Sequence, residues 1–294
     1  MQIVIGIPAF NEEKNIATLI AKLNEITKTI IVCNDGSTDS TGAIAEKMGA
    51  IVVNHHKNLG YGAAIRSIFL KARELNSDVL VTIDADGQHR FEDVQTVLEP
   101  ILSDEADIVI GSRFLSRKAE NIPSYRKAGI RLITKLANSS MQNKITDAQS
   151  GFRAYNKNVL TKITPSDYGM GASNEIIMKA DKEGFRIAEV PITVLYEGDT
   201  STHNPVSHGV SVIFSTMKFI SIEHPLRFYG IPGVIFLTIG LFFAIWTLQI
   251  FSETRQIITN VSLIGIGTII FGTILIMNAI MLYSIVNLIR ESRN

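Results

Sequence analysis

The sequence predicts an α/β domain with a mostly parallel sheet, followed by a helical hairpin long enough to enter a membrane. Three observations carry this expectation. Short runs rich in β-branched residues alternate with amphipathic helical segments through the first part of the chain. Polar clusters of Asp, Asn and Gly close those runs where the carboxyl ends of parallel strands would lie. Two long stretches near the C-terminus carry no charge.

Residues 3–7 form a β-branched run ended by Pro8, and Asn11-Glu12-Glu13 opens a helical segment with Ile16, Leu19, Ile20 and Leu23 on one face. Residues 29–33, 50–53, 79–83 and 107–110 read as further strands, with helices over 40–48, 63–75 and 91–102 between them. Strands alternating with helices specify a parallel sheet covered on both faces.

Of 294 residues, 46% are apolar and 19% charged, and mean hydropathy is positive, so part of the chain is greasier than a soluble domain. The formal charge is zero and no basic cluster is interleaved with aromatics, which argues against a nucleic-acid partner. Cys33 is the single cysteine and lies in an apolar run, so it reads as core in a reducing compartment. The first residues are strand-like and lack the basic-then-apolar pattern of a signal peptide.

The stretch at residues 79–89, VLVTIDADGQH, holds the densest chemistry. In an extended backbone Asp84, Asp86 and Gln88 would point the same way and offer three oxygen donors at a strand end. Such donors suit Mg²⁺ or Mn²⁺ rather than zinc, and Mg²⁺ usually completes its shell with water and substrate phosphate. Taken alone, Asp-Ala-Asp is also what an acidic turn after a buried strand looks like. After the second strand, Gly36 permits a tight turn, Asp35 can accept hydrogen bonds from a base or ribose, and Ser37 or Asp39 can cap the next helix.

The ordered series Pro-Ala-Phe-Asn-Glu-Glu at 8–13, Asp-Gly-Ser-Thr-Asp at 35–39, Asp-Ala-Asp-Gly-Gln-His at 84–89, Gly-Ser-Arg-Phe at 111–114 and Ser-Gly-Phe-Arg-Ala-Tyr at 150–155 resembles the family 2 glycosyltransferases. Within them it is most similar to the dolichyl-phosphate mannose synthase and polyprenyl-phosphate glycosyltransferase branch. The resemblance covers residues 1–205 and implies a Rossmann-like GT-A domain. It implies that Pro8, Ala9, Phe10, Asn11, Glu12 and Asp35, with the backbone near Cys33, hold the nucleoside. Asp84, Ala85 and Asp86 would meet the ribose, diphosphate and metal, and Gln88 would complete the metal shell. Ser112, Arg113 and Arg126 match acceptor-phosphate positions, and Asp86, Arg113 and Arg126 match the catalytic set, with Arg113 also near the donor. An arginine fork suits phosphate because it gives paired, charge-assisted hydrogen bonds.

Three departures from the mannose-synthase pattern stand out. Asn34 replaces the first of two aspartates, and Ile130 stands four residues after Arg126 where that branch often has serine. In 196–205, Glu197 stands near an expected arginine and His203 near an expected lysine. His203 carries a cation only when protonated. These losses favour a UDP-sugar, glucose or N-acetylglucosamine, over GDP-mannose.

Residues 206–227 place Val210, Ile213, Phe214, Met217 and Ile220 at near-fourfold spacing, which reads either as an amphipathic helix on a membrane surface or as a stripe packed on the preceding domain. Residues 228–294 read as a transmembrane hairpin with spans at 232–251 and 261–289. Lys218 and Arg227 precede it and Arg290 and Arg293 follow it, which places both flanks, the catalytic domain and the C-terminus in the cytosol. Gly265, Gly267 and Gly272 would permit close helix contact, including self-association into a homo-oligomer.

The expected reaction is inverting, metal-dependent transfer from a nucleotide sugar to dolichyl or polyprenyl phosphate in contact with membrane lipids. GDP-mannose-dependent synthesis and a catalytically silent nucleotide-sugar-binding membrane partner are the rival readings. A processive polysaccharide synthase would carry a Gln-x-x-Arg-Trp segment, whereas the only tryptophan, Trp246, lies inside the first span. A transporter would need ionisable residues within the spans, and they hold none.

Overall fold

The computed structural model describes residues 1–115, 124–194 and 205–291, with the side chains of 124–126, 205–211 and 289–291 outside the description. The contacts divide the chain into two units, Met1–Thr216 and Met217–Asn294.

The first unit is built on a seven-stranded sheet. Its strands are β1 (Ile3–Ala9), β2 (Ile30–Asn34), β3 (Ile51–Asn54), β4 (Val79–Thr82), β5 (Ile108–Ser112), β6 (Arg153–Asn156) and β7 (Ile187–Pro191), in the order β3-β2-β1-β4-β6-β5-β7. β1 to β4 are almost continuous apolar runs, and β2 and β4 are buried over nearly their whole length, because helices cover both faces. The helices between them are α1 (Ile16–Leu23), α2 (Thr41–Lys47), α3 (Tyr61–Glu74) and α4 (Asp93–Leu102). They fall where the sequence periodicity predicts them.

All pairings are parallel except those of β6, which lies antiparallel between β4 and β5. β1 and β4 sit side by side while the chain winds outward in both directions from them. That reversal is the crevice where open α/β sheets bind ligands, outside the carboxyl ends of the strands. The unit also contains α5 (Ser124–Asn138), α6 (Lys157–Lys162) and α7 (Ala172–Lys182).

A long helix, α8 (Pro205–Glu223), runs across the boundary between the units. Val212 and Thr216 are buried, and Thr216 Oγ1 accepts a hydrogen bond from Asn174 Nδ2 at 2.8 Å. Phe214 is 68% exposed and Met217 36%, so these two apolar side chains face out while Val212 and Thr216 are buried.

The second unit contains a π-helical turn (Leu226–Gly230) and the helices α9 (Ile231–Thr254) and α10 (Thr259–Glu291). At 24 and 33 residues they are about 36 and 50 Å long at 1.5 Å per residue. Both are long and apolar enough to cross a membrane. They begin before and end after the expected spans, because polar and charged residues such as Glu253, Thr259 and Arg290 continue the helices. Arg255, with φ of 57°, closes α9 in the left-handed region.

Close approach within this hairpin is made by glycine. A Cβ at Gly240 would fall 2.6 Å from Ile269 Cγ1, and one at Gly272 would fall 2.7 Å from the Leu237 backbone nitrogen. Rising positions in α9 meet falling positions in α10, so the helices are antiparallel. Gly265, too, lies against Ala244 and Gly240. Gly265 and Gly272 are thus used inside the hairpin, whereas Gly267 has open space beside it.

Candidate active site at the β1/β4 crevice

The loop after β1 and the loop after β2 are tied to one another. Asn11 N donates to Ser37 Oγ at 3.0 Å, Thr38 N to Asn11 Oδ1 at 2.9 Å, and Glu12 N to Thr41 Oγ1 at 2.8 Å. Ser40 N donates to Glu13 Oε2 at 3.1 Å. The first two motifs are therefore one structure. Pro8 and Phe10 are half-buried, Ala9 is buried and Asn11 is exposed with φ of 56°. Pro8 and Ala9 pair in register with Cys33 and Asn34, which puts all four at the carboxyl edge of the sheet.

Asn34 makes use of its difference from aspartate. Its Nδ2 donates to Asn54 Oδ1 at 2.8 Å while its Oδ1 accepts from Ser37 N, and a carboxylate could not do the first.

Asp35 is buried and accepts three hydrogen bonds from its own chain. His55 Nδ1 lies 2.6 Å from Oδ1, Leu59 N donates to Oδ1 at 3.0 Å and Gly60 N to Oδ2 at 2.9 Å. Gly36 turns the chain beside it with φ of 71°, and a Cβ there would lie 2.3 Å from the carbonyl carbon of Lys57. Ser37 or Asp39 is expected to cap α2, but Ser40 holds the N-cap position and makes no side-chain cap; Ser37 Oγ accepts from Asn11 N, and Asp39 Oδ1 accepts from Thr41 N and Thr41 Oγ1 just before the helix.

The geometry expected for Asp84, Asp86 and Gln88 is corrected by the structure. β4 ends at Thr82 and residues 85–87 form a turn, with Gly87 at φ of 72°. Gln88 N donates to Asp86 Oδ1 at 3.0 Å, so the second aspartate organises the turn instead of extending a strand face. Asp-Gly is a turn signal and here it overrides the alternation of an extended chain.

The carboxylates nevertheless share one edge of the sheet. Glu12 is held above its ordinary range by burial, against a hydrogen bond from Asn15, and by the charges of Asp86, Asp39 and Asp84. β1 and β4 are paired in parallel, so the loop carrying Glu12 and the turn carrying Asp84 and Asp86 leave the same edge of the sheet side by side. Among the described residues no group of three or more His, Cys, Asp and Glu side chains is close enough to hold an ion alone. Oxygen donors of this number and kind fit a Mg²⁺ or Mn²⁺ ion that takes one or two carboxylates and completes its shell from water and a phosphate ligand.

Asp84 lies close against Gly151, within the Ser-Gly-Phe-Arg-Ala-Tyr motif, a position to which the sequence assigned no role. A Cβ on Gly151 would lie 2.6 and 2.7 Å from the two Asp84 oxygens and 2.7 Å from the Tyr61 hydroxyl. Thr82 Oγ1 fixes that loop by donating to Gly151 O at 2.8 Å. His89 Nε2 approaches Asp84 Oδ2 at 3.7 Å, and its ring rests against Phe152.

Arg113 makes a fork on Asp147, with Nε to Oδ2 and Nη2 to Oδ1 both at 2.7 Å. Burial would raise the Asp147 carboxyl, but the Arg113 charge and hydrogen bonds outweigh it and hold the group below the usual aspartate range. Beneath the pair, Glu189 accepts from Thr146 N and Asp147 N at 2.8 and 3.0 Å, and burial holds its carboxyl above the ordinary range. Ser112 is fully buried, its hydroxyl 2.7 Å from Thr146 Oγ1 and accepting from Phe114 N, so it shapes the Arg113 turn. Arg126 lies in the first turn of α5, and its side chain, like Glu197 and His203, falls outside the described residues.

The model for glycosyl transferase family 2 matches residues 4–164. A UDP-N-acetylglucosamine–dolichyl-phosphate N-acetylglucosaminyltransferase of Methanococcus voltae is 34% identical over 74% of this chain and 93% of its own. A dolichyl-phosphate hexose transferase of Haloferax volcanii is 31% identical over 77% of this chain and 96% of its own. Among solved structures, glucosyl-3-phosphoglycerate synthase from Mycobacterium tuberculosis in complex with Mn²⁺ and UDP-glucose superposes with a TM-score of 0.55, at 22% identity over 75% of this chain and 78% of that one, a likeness of fold. With its motifs along the carboxyl edge of one sheet, a matching family model over more than half its length and relatives above 30% identity along nearly their full extent, the chain belongs to glycosyl transferase family 2.

Proposed function

We propose that this glycosyltransferase moves a sugar from a nucleoside diphosphate sugar, UDP-glucose or UDP-N-acetylglucosamine, to dolichyl or another polyprenyl phosphate at the cytosolic face of a membrane. The observation that carries the reading is that Asp84 and Asp86 follow β4 at the carboxyl edge of the sheet, beside β1 and the loop that carries Glu12, in a chain that also has two membrane-length helices. The relatives named for dolichyl-phosphate acceptors support the acceptor, and the one named for UDP-N-acetylglucosamine supports the donor. The outward apolar face of α8, with Phe214 and Met217, supports contact with lipid.

An oxygen of the acceptor phosphate attacks C1 of the sugar as the bond from C1 to the diphosphate oxygen breaks, and the nucleoside diphosphate leaves with that bonding pair. The phosphate is largely ionised at neutral pH, so no side chain has to remove a proton. A bound divalent cation would neutralise the departing diphosphate. Asp84 and Asp86 would hold that cation, with Gln88 beside them, while the loops at Pro8–Glu12 and Asp35 seat the nucleoside. Asp147 fixes the plane of the Arg113 guanidinium, which together with Arg126 would align the acceptor phosphate.

Full-length protein in detergent, given a panel of radiolabelled nucleotide sugars and polyprenyl phosphate, should convert label from a UDP-sugar into a chloroform-extractable, acid-labile product. Label moving only from GDP-mannose would replace the donor assignment, and no transfer from any donor would overturn the reaction.

Gly151→Ala tests the carboxylate clamp. The new methyl would stand 2.6 Å from Asp84 Oδ2, so the carboxylate must swing away. A displacement near 1 Å at a reacting centre costs about a hundredfold in rate. Turnover should fall by that order while near-UV circular dichroism stays native, and full activity in a folded Gly151→Ala protein would separate Asp84 from the chemistry.

A further inference from the structure

Next to the nucleoside loops the structure holds a buried three-residue relay. His55 Nδ1 lies 2.6 Å from Asp35 Oδ1, and His55 Nε2 lies 2.8 Å from Ser67 Oγ on α3. The His55 side chain is 10% exposed and that of Asp35 5%. The backbone fixes the ring, because His55 N donates to Asn34 O at 3.0 Å and extends the β2/β3 pairing by one step.

A carboxylate only accepts, so Nδ1 carries a proton and donates it to Asp35, while Nε2 is paired with the Ser67 hydroxyl. Cys33 Sγ is 3.6 Å from Nε2. Burial, with the Asp35 charge behind it, pushes that thiol up to about 12, so the neighbouring sulfur remains neutral.

The consequence lies in what Asp35 has left to give. A carboxylate offers about four lone-pair positions. His55 and Leu59 N take both on Oδ1, and Gly60 N takes one on Oδ2. One acceptor position remains, on Oδ2. The pairing edge of uracil presents a single N–H between two carbonyls. The pairing edge of guanine presents two adjacent donors, N1–H and the exocyclic amine, and asks for both oxygens of a carboxylate.

We propose that the Asp35–His55–Ser67 relay selects the nucleobase, by saturating Oδ1 so that the remaining acceptor suits a uridine nucleotide and not a guanosine nucleotide. His55 and Ser67 act through Asp35 and are positioning residues. The inference rests on the nucleotide-sugar reading above. A guanine in this seat would leave one buried donor unpaired, and polar mismatches of that kind discriminate strongly.

The test is titration calorimetry of full-length protein in detergent with UDP and with GDP, each with Mg²⁺. The parent should bind UDP more tightly than GDP by about tenfold or more. His55→Leu should shrink that ratio to within about threefold, since Oδ1 becomes available again. His55→Asn, whose amide can place an N–H near the position of the imidazole Nδ1–H, should keep most of the preference, and Ser67→Ala should lose part of it. A general loss of structure would weaken both nucleotides together and leave their ratio unchanged. Parent protein that binds GDP as tightly as UDP, or a preference untouched in both His55→Leu and Ser67→Ala, overturns the base assignment while leaving the transferase standing. Parent protein that binds neither nucleotide overturns both.

Discussion

Replacing Asp86 with alanine is expected to cut sugar transfer by about a thousandfold or more while the protein melts within a few degrees of the parent. The two halves of that result have separate causes. Activity falls because the developing charge on the diphosphate loses several kcal/mol of neutralisation once the crevice can no longer hold a cation beside it, and each ~1.4 kcal/mol is tenfold in rate. Stability holds because two local effects oppose each other. The variant forfeits the hydrogen bond from Gln88 N to Asp86 Oδ1, a contribution of about 1 kcal/mol. It also removes one of the negative charges that hold Glu12 above its ordinary range. Excess chelator on the parent protein should reproduce the loss of turnover, and Mg²⁺ or Mn²⁺ should restore it. Unchanged turnover in the variant, or parent activity in chelator, would remove the metal from the reading.

How much of this could be read from the sequence depends on the range over which each feature is specified. β1 to β5 and the helices between them were legible because each is a local pattern, an apolar run or a helical stripe bounded by turn residues. β6 was not, because Arg153-Ala-Tyr-Asn has no alternation to reveal it. Arg153 is fully buried, its Nη1 and Nη2 donating to Ser173 O and Ala148 O, so a charged residue takes a core position that only tertiary partners justify. β7 was missed for a milder reason, since Ile187–Pro191 is only half-buried and carries Glu189 at its centre. Within the site, the two aspartates were legible as residues but not as geometry, because Gly87 bends the chain before alternation can apply. Gly151 lies 67 residues beyond Asp84, and Asp147 lies 34 beyond Arg113. Contacts across such distances leave no local pattern. The one available signal was the Asp-Ala-Gln-Ser-Gly-Phe-Arg segment itself, whose first residue turns out to hold Arg113 and whose glycine lies against Asp84.

The second large effect concerns stability. Arg113→Ala is expected to destabilise the first unit by about 3–5 kcal/mol, since it strands a carboxylate that the fold has fully buried. For a unit of this size the melting midpoint should fall by about 6–20 °C. Among the described residues, Asp147 would keep the backbone N–H of residue 113 and that of Gln149. Arg113→Lys retains the charge but not the two-pronged geometry and should fall between parent and alanine variant. Combining Arg113→Ala with Asp147→Asn should recover part of the loss, because the stranded charge is then gone. The pH dependence gives an independent check on the cause. In the parent, the Asp147 carboxyl is held below its unfolded value, so its contribution is fully present above the ordinary aspartate range and is lost as pH falls through the lowered folded value. The gap in stability between parent and Arg113→Ala should therefore be widest near neutral pH and close as the medium becomes more acidic than the ordinary aspartate range. Glu189 titrates in the opposite sense, its folded value being raised by burial, but it is present in both proteins and largely cancels in the difference. A gap that stays constant into acid would mean that Arg113 stabilises the fold by packing its stem and not by pairing with Asp147.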